Sequence, residues 1–368
     1  MQVIFFALSL SGLLIGHAAF YYLFINFFNV TIFWERLIVA TVIAVLFFNI
    51  VLASFLVHRR DNVLTRAYYI FSGVWIGFFI NLCLMSVLVV ILKFGGQFFN
   101  LVVPTTYLKI IFWSGGILLS IWGIYRALVP KVTTYEIVIK GLPASWHNRV
   151  VVQLSDVHLG PVYRKKFFYR LIDKINSLKP EAVFITGDLF DGMEADFSWM
   201  NHPFKKLKAP RGIYYSFGNH DLYLGFNKTV SLLSGNPVKI LDNKLVNISG
   251  LQVIGINYSF DSSFNLEKAI LRQVGYKPER PSILLFHEPK NISLAKKVDI
   301  NLQLSGHTHD GQLWPFNYIV KWAHKNFSYG LFQDGNFSLV ISSGAGTWGP
   351  PMRTAARAEI VKIILKKK

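Results

Sequence analysis

The chain has 368 residues, enough for two or three domains, and 52% of them are apolar while only 16% are charged. A composition this apolar, with a positive mean hydropathy, excludes an ordinary soluble enzyme as the whole of the molecule. The formal net charge of +18 at pH 7 favours an acidic partner such as a lipid surface or a nucleic acid.

The apolar residues are concentrated in residues 1–130, which we assign to an α-helical transmembrane bundle. This part holds seven Lys or Arg and two acidic residues, and residues 1–34 hold no charged side chain. Four apolar stretches each have about 20 residues or more, enough to cross a bilayer core of about 30 Å as helix. The predicted helices lie near residues 4–28, 37–57, 69–92 and 107–128. A cleaved signal peptide is the alternative for the first helix. It would need a basic n-region and a short h-region, and the sequence has neither, so we predict an uncleaved helix.

Basic residues near the helix ends predict the orientation of the bundle. Six of them are expected on one side of the membrane and three on the other. The larger group is Arg59, Arg60, Arg66, Arg126, Lys131 and Lys140, and the smaller group is Arg36, Lys93 and Lys109. This bias favours a multi-pass protein of the cell inner membrane whose N-terminus and residues 131–368 are cytoplasmic. The single Cys83 fits a reducing cytoplasm and leaves the compartment open.

Residues 131–368 alternate short apolar runs with polar turns, which is the pattern of an α/β domain. Strands are predicted at 135–139, 150–154 and 182–186, with a covering helix at 165–178 before the last of these. Further strands are predicted at 213–217, 238–241, 245–248, 251–256, 282–286, 301–305, 339–343 and 359–365. The three runs between residues 238 and 256 predict a meander that supplies a second sheet, and the last two strands are expected to close that sheet.

Aspartate, asparagine or histidine side chains come directly after five of these apolar runs. Any one such motif alone is typical of a surface turn, but five in succession indicate a site along one edge of a sheet. The predicted ligands, all nitrogen or oxygen donors, are Asp156, His158, Asp188, Asn219, His287, His307 and His309. Seven ligands exceed the three or four of a zinc site, so we predict two divalent ions bridged by Asp188. Manganese, iron and zinc all suit these donors.

The motifs resemble those of the calcineurin-like metallophosphoesterase superfamily and occur in family order. They are Asp156-x-His158, Gly187-Asp188-x-x-Asp191, Gly218-Asn219-His220-Asp221, His287 and Gly306-His307-x-His309. The resemblance implies a two-sheet β-sandwich flanked by helices, with His220 as the catalytic imidazole oriented by Asp191. It implies one metal at Asp156, His158 and His309, a second at Asn219, His287 and His307, and it favours manganese. Residues 305–312 and 346–353 resemble membrane-bound members of the superfamily.

Three further residues are candidates for substrate contact. Asp310 stands where the resembling proteins usually have glycine, and an extra carboxylate there would add a hydrogen bond or repel an anion. Trp348 and Arg353 lie in a loop rich in Gly and Pro, where a guanidinium would suit a phosphate. Residues 312–332 mix aromatic and basic side chains. They predict either an interfacial element beside anionic headgroups or rings packed onto the sandwich.

The expected activity is hydrolysis of a phosphodiester or pyrophosphate in a lipid-linked substrate at the membrane face. A UDP-diacylglucosamine-type pyrophosphatase of lipid A assembly is a sharper version of it. The alternative from another class is a membrane sensor or transporter with a regulatory phosphoesterase-fold module. The complete ligand set and the lack of acidic or basic residues in mid-helix favour the enzyme. Nucleic acid ranks below lipid as a partner because no basic recognition helix is present, and no protein partner is indicated.

Overall fold

The computed structural model describes residues 2–200, 202–261, 263–273 and 275–368, with side chains described from Ser11 onward. The chain forms two compact units. The first comprises residues up to Gly123 together with Gly349–Pro351, and the second comprises Ile124–Trp348 and Met352–Lys368. The domain boundary expected between residues 130 and 131 stays a prediction.

The first unit is built from apolar helices. They are α1 (Gln2–Phe27), α2 (Phe33–Arg59), α3 (Val63–Phe98) and α4 (Thr105–Leu128). Within the described residues, α2, α3 and α4 are long and apolar enough to cross a membrane. The predicted first span, 4–28, begins among residues whose side chains lie outside the described part, and the remainder, Ser11–Phe27, is a shorter apolar helix. The prediction of an N-terminal membrane-associated helical part is confirmed.

Aromatic rings and one polar pair hold these helices together. Phe20, Phe79 and Phe112 belong to one buried cluster contributed by three helices. The amide of Asn81 on α3 donates a hydrogen bond of 2.9 Å to the Ser120 hydroxyl on α4. A hydrogen bond between apolar helices fixes their mutual rotation because neither group has water as an alternative partner.

The second unit contains two six-stranded sheets in its described residues. The strands are β1 (Lys131–Ile139), β2 (Val150–Leu154), β3 (Ala182–Thr186), β4 (Ile213–Ser216), β5 (Val238–Ile240), β6 (Lys244–Ile248), β7 (Leu251–Ile256), β8 (Ser282–Phe286), β9 (Leu302–Ser305), β10 (Gly330–Asp334), β11 (Phe337–Ile341) and β12 (Glu359–Lys367). The first sheet has the order β1-β12-β2-β3-β4-β5, and the second has the order β10-β11-β9-β8-β7-β6. Both sheets mix parallel and antiparallel pairs.

Two strand placements differ from the expectation. The last strand, β12, does not close the second sheet but runs parallel to β1 in the first sheet, from Lys131 opposite Glu359 to Ile139 opposite Lys367. The strand predicted at 238–241 is β5, which pairs with β4 at the edge of the first sheet instead of joining the meander. The remaining runs, β6 and β7, do form an antiparallel pair in the second sheet.

The two sheets pack face to face and bury a continuous apolar core between them. Alternate residues of a strand point to opposite faces, so Val151 on β2 faces the inner core while Val152 faces the helical layer. In β8, Ile283 lies in the inner core and Leu284 in the outer one. Both faces of both sheets are therefore covered, as the strands' unbroken apolar runs require.

Short helices complete the two outer layers. They are α5 (Lys165–Ser177), α6 (Pro203–Lys206), α7 (Asn219–Leu224), α8 (Phe226–Leu233), α9 (Leu266–Leu271), α10 (Ile292–Lys297) and α11 (Phe316–Ala323). Helix α5 buries an apolar stripe that includes Phe168, Leu171 and Ile172 against the first sheet. Leu266 on α9 and Ala295 on α10 cover the second. The predicted fold class, a two-sheet β-sandwich flanked by helices, is confirmed.

Candidate metal centre

The polar residues singled out from the sequence lie at the ends of strands from both sheets. β2, β3 and β4 of the first sheet lead into Asp156, Asp188 and Asn219, while β8 and β9 of the second lead into His287 and His307. The expectation that one sheet edge supplies every ligand is therefore wrong. The two sheets instead present the same ends side by side, and the site lies where those ends meet.

The backbone at this site is unusually strained. Five of the seven predicted ligands adopt positive φ, at 50° for Asp156, 51° for His158, 50° for Asp188, 72° for His307 and 49° for His309. Such values are uncommon for residues other than glycine. These five ligands thus lie in tight turns that follow the ends of β2, β3 and β9. Clustered strain of this kind is typical of functional sites.

A first group of metal-type side chains comprises Asp156, His158 and His309. The Nε2 atoms of His158 and His309 are 3.0 Å apart, and His309 Nε2 is 3.3 Å from Asp156 Oδ1. All three side chains are buried. Two ring nitrogens and a carboxylate oxygen therefore converge on one small volume.

A second group comprises Asp188, His287 and His307. His287 Nε2 is 3.1 Å from Asp188 Oδ2, and His307 Nδ1 is 3.0 Å from the amide oxygen of Asn219. Asp188 Oδ2 also lies 3.9 Å from His158 Nε2 of the first group. One carboxylate oxygen therefore faces both groups, as expected of a bridging ligand.

The hydrogen bond at Nδ1 of His287 decides whether its Nε2 can bind a cation. His287 Nδ1 is 2.7 Å from the carbonyl oxygen of Thr186, to which it donates, so in the neutral ring Nε2 carries the lone pair. That buried Nε2 makes no hydrogen bond within the described part of the chain and faces the Asp188 carboxylate. A lone pair facing a carboxylate is repulsive unless a proton or a metal ion lies between them. The residues present therefore fit divalent ions, which the fold of this domain implies.

The charges at the site shift its acid–base equilibria in opposite directions. Burial lowers the pKa of His287, but the neighbouring Asp188 and Asp156 carboxylates outweigh burial and raise the pKa to about 10. Burial and the charge of His287 lower the pKa of His307 to about 3. Burial opposes ionisation of Asp188, but the surrounding imidazoles hold its pKa well below the usual range. A proton on His287 thus supplies the positive charge that a metal ion would replace.

Asp191 and His220 are connected differently from the expectation. The Asp191 carboxylate lies 3.1 Å from His158 Nδ1, so it orients a predicted metal ligand. His220 Nδ1 donates instead to the backbone carbonyl of Asp191 at 2.9 Å. The imidazole of His220 is therefore oriented by the main chain, which leaves its Nε2 for a substrate.

Asp221 supports the site, although the sequence assigned it no role within the motif that contains it. Its fully buried carboxylate accepts hydrogen bonds from the backbone N–H groups of Asp188, Gly218 and Phe190, at 2.7, 2.9 and 3.0 Å. Burial, and then the charge of Asp188, raise its pKa to about 7. Asp221 ties the turn after β3 to the turn after β4. Its position directly after His220 was the available signal.

The three candidate substrate contacts occupy different environments. Trp348 is 49% exposed, and its ring centroid lies 6.1 Å from that of His220. Asp310 accepts a hydrogen bond of 3.3 Å from Ser328, and burial raises its pKa. Arg353 is fully buried, and its guanidinium donates to the backbone carbonyls of Ser343 and Gly346 and contacts His309 Nδ1 at 3.0 Å. That position does not favour the expected contact of Arg353 with substrate.

Further aromatic side chains border the metal centre and were missed from the sequence, where nothing distinguishes them from core aromatics. Tyr223 contacts His220 edge to face at 5.1 Å and stacks on Phe260 at 5.5 Å between ring centroids. Tyr258 lies 5.8 Å from His307 and 5.0 Å from Phe260. Tyr223 and Phe260 are exposed. Together with Trp348, these three residues form an aromatic rim around the site.

Comparisons with known proteins all identify metallophosphoesterases as the relatives of this chain. The model of the calcineurin-like phosphoesterase family matches residues 149–311. An uncharacterized metallophosphoesterase of Campylobacter jejuni is 32% identical over 86% of this chain and 86% of its own length. Transmembrane proteins with a metallophosphoesterase domain from Danio rerio and Bos taurus are 33% and 34% identical, over 67% of this chain and 60% of theirs. The match to the Campylobacter jejuni protein covers 86% of this chain, whereas residues 131–368 make up less than two thirds of it. That match therefore includes part of the apolar helices.

Glycine at position 306 is required by the close approach of the two sheets. A Cβ atom there would lie 2.1 Å from both Asp156 Oδ2 and Ser155 Oγ, which are fully buried and cannot move outward. We expect Gly306→Ala to displace the Asp156 carboxylate and lower the bound metal per chain, measured by elemental analysis of the purified protein. Gly95→Ala is the control, because its Cβ would meet nothing within 4 Å and its backbone does not have a positive φ. Normal metal content in Gly306→Ala would contradict the proposed ligand geometry.

The contacts of Asp191 and His220 predict two separable defects. Asp191→Ala removes the partner of His158 and is expected to weaken metal affinity about 10- to 100-fold, while excess metal restores activity. His220→Ala is expected to leave metal affinity intact and to lower kcat about 10²- to 10⁴-fold. Metal titration followed by activity at saturating metal measures both. If saturating metal fails to rescue Asp191→Ala, the carboxylate acts through His220 after all.

Proposed function

Because the chain belongs to the calcineurin-like metallophosphoesterase family, and is thus a metal-dependent phosphoric ester hydrolase associated with membranes, we propose that it uses a binuclear centre on a lipid-linked substrate. The bond cleaved is a phosphodiester or a pyrophosphate at the membrane face. The observation that supports two ions is the position of Asp188, whose Oδ2 faces His287 at 3.1 Å and His158 at 3.9 Å.

The ligands divide naturally between two ions. Asp156, His158 and His309 would hold one ion. Asn219, His287 and His307 would hold the other, with Asp188 shared. When bound, the ions neutralise the phosphoryl oxygens and supply a water nucleophile at neutral pH. Nitrogen and oxygen donors with a bridging carboxylate suit manganese, which we propose, and also iron or zinc.

His220 is the residue that handles the leaving group. Its Nδ1–H is engaged by the carbonyl oxygen of Asp191 at 2.9 Å, so a proton is delivered or accepted at Nε2. Trp348 and Tyr223 both contact its ring in edge-to-face geometry, at 6.1 and 5.1 Å between centroids. A general acid at this position would protonate the departing alkoxide or phosphate.

Three features support a lipid-linked substrate. The aromatic rim places apolar surface next to a centre that binds anions, which suits an ester with an apolar portion. Residues 131–368 carry +13 of the net charge of +18, because residues 1–130 contribute seven basic and two acidic side chains. The apolar helices place the enzyme among lipid phosphates at high local concentration. A nucleotide-diacylsugar pyrophosphate combines these features and is the sharper candidate, whereas a nucleic acid would need a basic recognition element.

We propose the compartment from the distribution of basic residues. Arg59, Arg60 and Arg66 lie between α2 and α3 or close beside that turn, on the side of the bundle that also bears the chain leading into β1. The excess of basic residues there supports an inner-membrane protein with a cytoplasmic catalytic domain.

The test is hydrolysis by the full-length protein, stripped of metal and then refilled with manganese, iron or zinc. We expect activity only after refilling and highest on a lipid substrate, among a chromogenic diester, a phospholipid and a nucleotide-diacylsugar. Asp188→Asn is expected to abolish activity because both ions lose a ligand.

Two outcomes would separate the parts of this proposal. A soluble diester cleaved as fast as any lipid would remove support for a lipid substrate but leave the metal centre intact. A single metal ion per chain in fully active enzyme would overturn the binuclear centre. His220→Ala serves as the control that retains metal while losing turnover.

A further inference from the structure

Helix α11 is an amphipathic helix with no apolar partner in the described part of the chain. None of its residues from Phe316 to Ala323 is buried. Trp322 is 82% exposed, Tyr318 63% and Ile319 59%. Helix α5 shows the contrast, because its apolar stripe buries five side chains against the first sheet. The rings of α11 therefore do not pack onto the sandwich, which was one of the two alternatives for residues 312–332.

The exposed side chains form one apolar face with a basic margin. Tyr318, Ile319 and Trp322 lie three or four positions apart, or adjacent, and therefore share one side of the helix. Trp314 and Phe316, at and just before the helix start, are also exposed. Lys321 on the helix and Lys325 just after it are both exposed. We call Trp314, Phe316, Tyr318, Ile319 and Trp322 the α11 apolar face.

Helix α11 lies next to the predicted metal centre. It follows the turn that contains His309, where a Cβ atom on Gly311 would lie 2.3 Å from the backbone nitrogen of Asn317. At its other end, the ring centroid of His324 lies 6.1 Å from that of His307. The Thr308 hydroxyl then donates to the carbonyl oxygen of Ser328 at 2.6 Å, which fixes the returning chain. Both ends of α11 thus contact residues within two positions of predicted metal ligands.

We propose that the α11 apolar face inserts into the surface of an anionic phospholipid bilayer. Tryptophan and tyrosine prefer the interfacial region, where one end of the ring is apolar and the other is hydrated. Lys321 and Lys325 would meet lipid phosphates at the same depth. A membrane is available to this unit, because α4 ends at Leu128 and β1 begins at Lys131, so only two residues link a predicted span to the first strand.

Docking of α11 would set the height of the metal centre above the lipid. A helix lying in the interface holds its own ends near the headgroups, and His307 and His309 adjoin those ends. A phosphoester in a lipid headgroup would then reach the metals without leaving the membrane. This consequence for the substrate rests on the proposed function, whereas membrane docking of α11 does not.

The test places one fluorescent label on α11 of the full-length chain. Ile319→Cys in a Cys83→Ser background would carry an environment-sensitive dye, and Leu271→Cys on α9, 53% exposed, is the matched control. The protein is reconstituted in nanodiscs of phosphatidylglycerol and phosphatidylcholine. We expect the label at position 319 to shift to the blue and to be quenched by a spin-labelled lipid. The label at position 271 should be quenched only by aqueous iodide.

Two results would overturn docking. Equal iodide quenching at both positions would show that α11 stays in water. A label at position 319 that is reached by neither quencher would show that protein, such as a second copy of this chain, covers the helix. These readouts do not need catalysis, so they stand even if no lipid is hydrolysed and the proposed function fails.

A kinetic arm then tests the consequence for substrate. Trp322→Glu places a charge on the apolar face, and Leu271→Glu is its matched control. We expect the rate on a lipid in the nanodisc, divided by the rate on a soluble chromogenic diester, to fall about tenfold in Trp322→Glu only. An unchanged ratio with a docked label would show that docking does not present the substrate.

Discussion

Two buried carboxylates placed among imidazoles determine most of this domain. Asp156 and Asp188 are 0% and 2% exposed, and each lies within 4.0 Å of His287 Nε2. An unpaired buried carboxylate costs several kcal/mol, and two of them together cost more because they repel each other. Neutral imidazoles offer lone pairs, which do not offset that cost. Backbone N–H groups of His220 and His307 donate to Asp188 and Asp156 at 2.9 Å, and a positive charge at the centre, carried by protonated His287 or by a metal ion, offsets the remaining repulsion.

The same requirement explains the backbone. To bring side chains from two sheets onto one volume, five ligands adopt positive φ. Such conformations cost about 1 to 3 kcal/mol each, so their sum is comparable to the about 5 to 15 kcal/mol net stability of a whole domain. The apolar core between the sheets and the hydrogen bonds of Asp221 offset this cost. Metal binding would add to the folding stability because it would relieve the repulsion between the buried Asp156 and Asp188 carboxylates.

The sequence predicted local features well and distant pairings poorly. The runs that became β2, β3 and β8 were predicted at their observed limits, because each is a short apolar segment ended by a ligand turn. Placement of β12 was wrong because its nine-residue parallel pairing with β1 joins opposite ends of the domain. No local pattern records such a partner. The carboxylate of Asp191 faces His158 and not His220 for a similar reason, since the choice depends on how two turns pack.

The second unit carries exposed aromatic side chains both in the aromatic rim and on the α11 apolar face. Large exposed rings beside a catalytic centre are a liability for a soluble domain, because they favour self-association. If α11 docks on a bilayer as we propose, the same rings would meet lipid instead of water. The aromatic rim of Tyr223, Tyr258, Phe260 and Trp348 borders the metal centre, whereas the α11 apolar face follows the turn that contains His309. Under that proposal, the enzyme would select substrates by where their phosphate lies relative to the membrane, because the phosphate must reach the buried ligands while the lipid portion stays in the bilayer.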